Sequence, residues 1–231
     1  MSIDFSKFEQ DSLITFNNKA LLKQAFTHRS YLNENRNLNI EHNERLEFLG
    51  DAVLELIVTD YLYNKYPKKP EGELTAYRSS LVNSTTLASA ATKLGINNYL
   101  LLSHGEAKDT GRARTYILAN TFEALLGALY IDQGYDATKD FIAQHIFPLI
   151  DEIVEKGSWI DAKSKFQELS QEKEGITPSY RTLKEVGPDH DKQFTVGVYL
   201  GGELIVSGEG SSKQEAEQSA ARKGLGHKKW I

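Results

Sequence analysis

The apolar residues of this chain keep one spacing up to about residue 156 and another after it, and that change limits the fold more than any other feature. Before it they recur every three or four residues, as one face of an α-helix requires, and no run alternates with a period of two. The first part therefore reads as all-α. After Gly157-Ser158 the character changes. Phe194, Val196, Val198 and Leu200 alternate and share one face of a strand. Gly201-Gly202 then supplies a two-residue hairpin turn. Strands are expected over 179–185, 194–200 and 203–208, with a helix over 161–173 before them. Ser211 or Ser212 caps a last helix, whose Ala216, Ala220 and Ala221 let it pack closely on the sheet. The expected division is an all-α domain over 1–156, a linker over 157–160, and a small α+β domain of order α-β-β-β-α over 161–231.

Within the first part, a short helix runs on from Leu21. His28 stands at its end, where a packed or capping role is the simpler reading and a catalytic one the sharper. The span 33–39 holds four asparagines and reads as a loop. A long helix over about 42–66 is stopped by Pro67 and Pro70. Two helices follow from Glu71, broken near Asn83-Ser84 and ended by Gly95. A polar loop at 105–111 precedes Arg112 and Arg114. The next helix covers about 115–133, with Ile117, Leu118, Phe122, Leu125, Leu126, Leu129 and Tyr130 on its apolar face and Asn120 and Glu123 three apart on one side. A further helix covers about 137–156.

The long helix carries three acids, Glu44, Glu47 and Asp51. At about 100° per residue they lie within roughly 60° of one another, so like charges crowd one side. Leu46, Leu49, Val53, Leu56 and Ile57 are expected on the other. Two readings stand: a solvated acidic face, or a site completed by a divalent cation. Phe48 falls in phase with Glu44 and Asp51, away from the leucines. An aromatic left exposed there points to a covering subunit.

Charge and composition narrow the alternatives. The 27 basic and 32 acidic residues give a net charge of −5, unevenly spread. From Ala162 onward 11 basic residues meet 10 acidic ones, leaving 16 against 22 in the part before, so two modules with different tasks are expected. With no cysteine, disulfides and thiolate metal sites are excluded, which fits a cytoplasmic setting. The first residues have neither the basic flank nor the apolar core of a signal peptide, and no apolar run approaches the roughly 18 residues of a membrane span.

Three motifs together resemble one family. The run from His42 through Asn-Glu-Arg-Leu-Glu-Phe-Leu-Gly-Asp-Ala-Val to Leu54 resembles the signature of bacterial ribonuclease III. The run from Ile117 through Leu-Ala-Asn-Thr-Phe-Glu-Ala-Leu-Leu-Gly-Ala to Leu129 resembles its second acidic motif. The tail, with Gly187-Pro-Asp-His190, the hairpin and Ser212-Lys-Gln-Glu-Ala-Glu217, looks like a double-stranded-RNA-binding domain. The resemblance implies a homodimeric endonuclease that cuts double-stranded RNA to 5′-phosphate and 3′-hydroxyl products with short 3′ overhangs, in rRNA and mRNA processing. Mg²⁺ is implied as the cofactor, with Mn²⁺ as a substitute. Glu47, Asp51, Asn120 and Glu123 are implied as metal ligands, Asp51 and Glu123 as catalytic, and Asp51 also as the residue that orients the attacking water. Glu71 matches an acid near the RNA, although a solvated loop acid reads equally well. Phe48 matches an aromatic buried in the partner subunit. Glu44, in the same stretch, is read as structural, for instance paired with an arginine. In the tail, Gln167 and Gln171 are implied to reach 2′-hydroxyls, Pro188, Asp189 and His190 to enter a minor groove, and Ser212 and Lys213 to face phosphates. Gln214 and Glu217 stand where many such domains have lysines, so weaker binding by the tail is expected. At Asn120 the family has aspartate. The amide oxygen can still touch a cation but brings no charge. Whether natural or introduced, this residue implies reduced cleavage, or a protein that binds duplex RNA without efficient cutting.

Overall fold

A computed structural model describes residues 3–155, 157, 159, 161–188 and 192–230. The chain forms two units, Met1–Trp159 and Ile160–Ile231.

The first unit is helical: α1 (Phe5–Ser12), α2 (Lys19–Ala25), α3 (Arg29–Glu34), α4 (Glu44–Lys65), α5 (Glu71–Val82), α6 (Ser84–Lys93), α7 (His104–Lys108), α8 (Arg112–His145) and α9 (Leu149–Glu155). Several helix starts follow from single polar residues. Asp4, Asn18, His28, Asn83 and Ser103 each accept a backbone N–H from the first turn they precede, satisfying donors that a helix start leaves open. The core centres on α4 and α8, whose Leu54, Ile57, Val58, Leu62, Phe122, Leu125 and Leu126 are fully or almost fully buried. In the same core Phe8 and Phe26 meet edge-on, with centroids 4.9 Å apart, and Tyr99 packs against both.

Tyr130, expected on the apolar face of its helix, is 37% exposed, and four further expectations need correction. The helix from Leu21 is two helices, because the Thr27 backbone leaves the helical path to bridge Leu101, and the N–H of His28 donates to the Leu101 carbonyl at 3.1 Å. His28 therefore begins α3 rather than ending a longer helix. The helix expected over 137–156 is the far end of α8, entered through a kink at Gly134 (φ 83°), followed by the separate α9. Pro148 lies between them and cannot donate the hydrogen bond a continuous helix needs. Part of the 105–111 loop is helical, as α7, because Ser103 caps it. Leu56 is 60% exposed instead of buried. The buried arc of α4 passes through Gly50, Leu54, Ile57, Val58 and Leu62, turned toward α8, and this rotation leaves Leu56 outside.

The second unit has α10 (Ala162–Glu174), β1 (Ser179–Val186), β2 (Gln193–Leu200), β3 (Glu203–Gly210) and α11 (Lys213–His227). The strands form an antiparallel sheet in the order β1-β2-β3. Gly201 and Gly202 both take positive φ, 56° and 93°, which a type I′ hairpin turn demands. Val198 and Leu200 pack with Phe166 of α10 and Ala220, Ala221 and Leu225 of α11 to make this unit's own core. Ser212 caps α11 by accepting the Glu215 N–H, and the Glu215 carboxylate accepts the Ser211 N–H in return.

Candidate active site

The site is built where α4 crosses α8. Gly50 and Gly127 sit at the crossing. A Cβ added at Gly50 would lie 1.8 Å from the Glu123 carbonyl oxygen, and one at Gly127 would lie 2.1 Å from that of Leu46. Only glycine permits this approach. Glu47 and Asp51 flank Gly50 on α4, and Asn120 and Glu123 come from the turns of α8 before Gly127, so the crossing brings the two acidic motifs together. Asn43 fixes the entry to α4. It is buried, its N–H donates to the Thr27 carbonyl at 2.9 Å, and its amide donates to the Ala25 carbonyl at 3.1 Å.

Mutual influence among the carboxylates is plain. Burial pushes the Glu123 carboxyl up to about 8, and the negative charges of Asp51 and Glu47 add to the effect. Glu47 is also raised, first by burial, then by Glu44 and Asp51. A hydrogen bond with Asn120 works the other way. Asn120, which supplies no charge, thus supplies a donor to one of its neighbours. Glu44 lies at the exposed edge, 3.4 Å from Arg29 and 3.8 Å from His42.

Among the described residues no three carboxylate or imidazole side chains converge as a ready-made cation cage. The donor set nonetheless fits a hard divalent cation. It is all oxygen, three carboxylates and an amide, and the mutual repulsion that raises Glu47 and Glu123 is what a bound cation would relieve.

Phe48 is 81% exposed. Beside it opens a cavity of about 560 Å³ lined by Leu21, Gln24, His42, Leu49 and Ile131 among others. Glu71 is the first residue of α5, accepts a hydrogen bond from Thr75 at 2.9 Å, and borders a second cavity of about 470 Å³ with Tyr63, Lys69 and Arg78.

In the second unit, Gln167 and Gln171 are exposed one turn apart on α10, and Gln171 donates to the hydroxyl of Thr177. Ser212 is engaged as the cap of α11, and Lys213 follows it, 2.8 Å from Glu185. Glu217 holds Lys163 at 2.6 Å. Asp189 and His190 lie outside the described residues, as does part of the 157–160 linker.

The sequence reading gave no role of their own to Asn43, Gly50, Gly127 and Arg114. The last donates to the carbonyls of Glu106, Ala107 and Asp109 and to Asn97, tying α7 and its loop to the start of α8. A signal existed for the glycines. Each interrupts a helix at a cost of about 1 kcal/mol relative to alanine, which a close helix contact offsets.

Comparison with known proteins agrees with this architecture. Residues 18–150 match the model of the Ribonuclease-III-like family, and residues 162–227 match the double-stranded RNA binding motif. Ribonuclease 3 of Enterococcus faecalis is 50% identical over 215 residues, 92% of each chain. Ribonuclease 3 of Streptococcus thermophilus is 47% identical over 222 residues, 95% of each. The nuclease domain of ribonuclease III from Campylobacter jejuni, studied for flexibility in a region involved in dimer formation, superposes with a TM-score of 0.57 at 36% identity, covering 63% of this chain and 99% of that one. With a helical nuclease unit and a following RNA-binding unit, this chain belongs to the ribonuclease III family of endoribonucleases.

Proposed function

We propose that this protein hydrolyses phosphodiester bonds of double-stranded RNA with Mg²⁺, or Mn²⁺ in its place, leaving 5′-phosphate and 3′-hydroxyl ends with short 3′ overhangs. Processing of rRNA precursors and mRNA in the cytoplasm is the setting this reading carries. The observation that supports it best is the Gly50–Gly127 crossing, which gathers Glu47, Asp51, Asn120 and Glu123 although packing alone calls for no such crowding of acids. Glu47, Asp51, Glu123 and the Asn120 amide would hold the cation. When bound, that cation supplies a positive centre for the developing charge and lowers the pKa of water. Asp51, the more exposed acid, orients the attacking water by hydrogen bonding. Glu71 stands close to the RNA.

The protein acts as a homodimer in this reading. Phe48 and the cavity beside it lie on one surface, so a two-fold axis would insert each Phe48 into the partner's cavity. Glu44, held by Arg29, stiffens the rim. The domain division at 1–156, 157–160 and 161–231 separates cutting from binding. Gln167, Gln171, His190, Ser212 and Lys213 contact the duplex. Their phosphate and 2′-hydroxyl partners are common to all sequences, so recognition rests on A-form shape.

A second reading has a specific observation behind it. Asn120 removes one negative charge from the site and already bonds Glu47. The protein would then bind duplex RNA and cut it poorly. Incubating end-labelled duplex RNA with the protein, with and without Mg²⁺, separates the two readings. Mg²⁺-dependent fragments are expected from the first. Shifted but intact RNA at every Mg²⁺ concentration would favour the second.

A further inference from the structure

Lys213 is the first residue of α11, at a helix start whose cap, Ser212, is already engaged with the Glu215 N–H. Its Nζ lies 2.8 Å from Glu185 Oε1 and 5.7 Å above the ring of Phe194. Glu185 is the next-to-last residue of β1 and is paired across the sheet with that same Phe194. Cation, ring and carboxylate thus form one small assembly, with about half of the Lys213 side chain exposed. A phosphodiester approaching Lys213 would meet a carboxylate already holding it. It must break that pair and then sit beside the Glu185 carboxylate.

We propose that Glu185 is an internal competitor for RNA phosphate at Lys213 and sets the affinity of the second unit for duplex RNA below what its cations would otherwise give. The proposal rests on the duplex-RNA-binding reading of that unit. Lys163, paired with Glu217 at 2.6 Å, repeats the arrangement on α10. Two cations of this unit are therefore paired from within. The pull of Lys213 on the Glu185 carboxyl, which lies below the usual carboxylate range through the hydrogen bond and charge of Lys213, agrees with a formed pair. Lys192 acts on the same carboxylate by charge, so any test must separate its effect from that of Lys213.

A double-mutant cycle does so. The full chain is titrated onto a fluorescent RNA duplex of about 20 base pairs, longer than the roughly 16 such a domain spans, in EDTA so that no cleavage intervenes. Glu185→Gln, Lys213→Ala and the double variant are compared by anisotropy at several KCl concentrations, with circular dichroism to verify folding. Glu185→Gln is expected to bind about two- to fivefold tighter, the range of an exposed ion pair. Its affinity is expected to fall more steeply with salt, by up to about one unit of log–log slope. Lys213→Ala should bind more weakly, and adding Glu185→Gln to it should change nothing. An unchanged or weaker Glu185→Gln would overturn the proposal. So would an equal gain without Lys213, which would mark a general charge effect or one acting through Lys192. If the unsubstituted chain fails to bind the duplex, the RNA-binding reading falls, and this proposal with it. If it binds and Glu185→Gln is silent, only the proposal falls.

Discussion

Replacing Glu123 by glutamine should stabilise the metal-free protein. In the folded chain burial and the charges of Asp51 and Glu47 push this carboxyl from 4.5 up to about 8. In the unfolded chain it titrates near its ordinary value. Because the folded value is the higher one, the group destabilises. The penalty is absent below the unfolded pKa, where both states are protonated. It grows as pH rises between the two values and is complete above the folded one. At about 1.4 kcal/mol per pH unit the difference at pH 7 would reach about 3 kcal/mol. The site is only half-buried, and water screens it, so about 1–2 kcal/mol is the expected gain for Glu123→Gln at pH 7 to 8. That corresponds to a rise of roughly 2–8 °C in the melting temperature of the nuclease unit. Scanning calorimetry in EDTA at pH 4 and pH 8 measures it. The variant should match the parent at pH 4 and melt higher at pH 8. Added Mg²⁺ should raise the melting temperature of the parent more than that of the variant, because only the parent keeps the full donor set. A variant that melts at or below the parent at pH 8 would refute the charge-crowding argument for this site.

Other expectations follow from the same geometry. Gly50→Ala places a Cβ against the Glu123 carbonyl, so it should cost about 1–3 kcal/mol on thermal unfolding, the range for overpacking, and remove cleavage together with cation affinity. Phe48→Ala touches little within its own subunit. Its effect on unfolding of the monomer should stay within about 0.5 kcal/mol, while sedimentation should show dimer converted to monomer; an unchanged dimer would remove Phe48 from the interface. Asn43→Ala leaves the buried Ala25 carbonyl without its donor and should destabilise by about 1–3 kcal/mol in chemical denaturation.

Much of the architecture could be read from periodicity, because each unit buries a face whose spacing survives in the chain. Phe194 to Leu200 alternate, and the Gly201-Gly202 turn has the positive φ values that such a pair permits. What periodicity missed depended on contacts between distant segments. The break after Ala25 exists because Thr27 bridges Leu101, 74 residues away in the chain. Leu56 is outside the core because α4 is turned toward α8, and helical phase within α4 alone cannot register that rotation. For the candidate site, the residues were legible as motifs, and the acids of α4 by their spacing. Their joining was not. It is made by two glycines, 77 residues apart in the chain, that carry no chemistry of their own. Nor could the chain show that Lys213 spends its charge on Glu185, since that pair is closed only when β1 and α11 meet.

The most direct measurement is the single-turnover rate of duplex RNA cleavage by the chain as it stands, by Asp51→Asn and by Asn120→Asp, each with Mg²⁺ and with EDTA. Cleavage is expected to require Mg²⁺, to be lost in Asp51→Asn, and to be faster in Asn120→Asp, where the added carboxylate supplies a charged oxygen donor. Cleavage that survives EDTA or Asp51→Asn would contradict the assignment of this site. An Asn120→Asp rate equal to that of the parent would contradict the claim that Asn120 holds the reaction back.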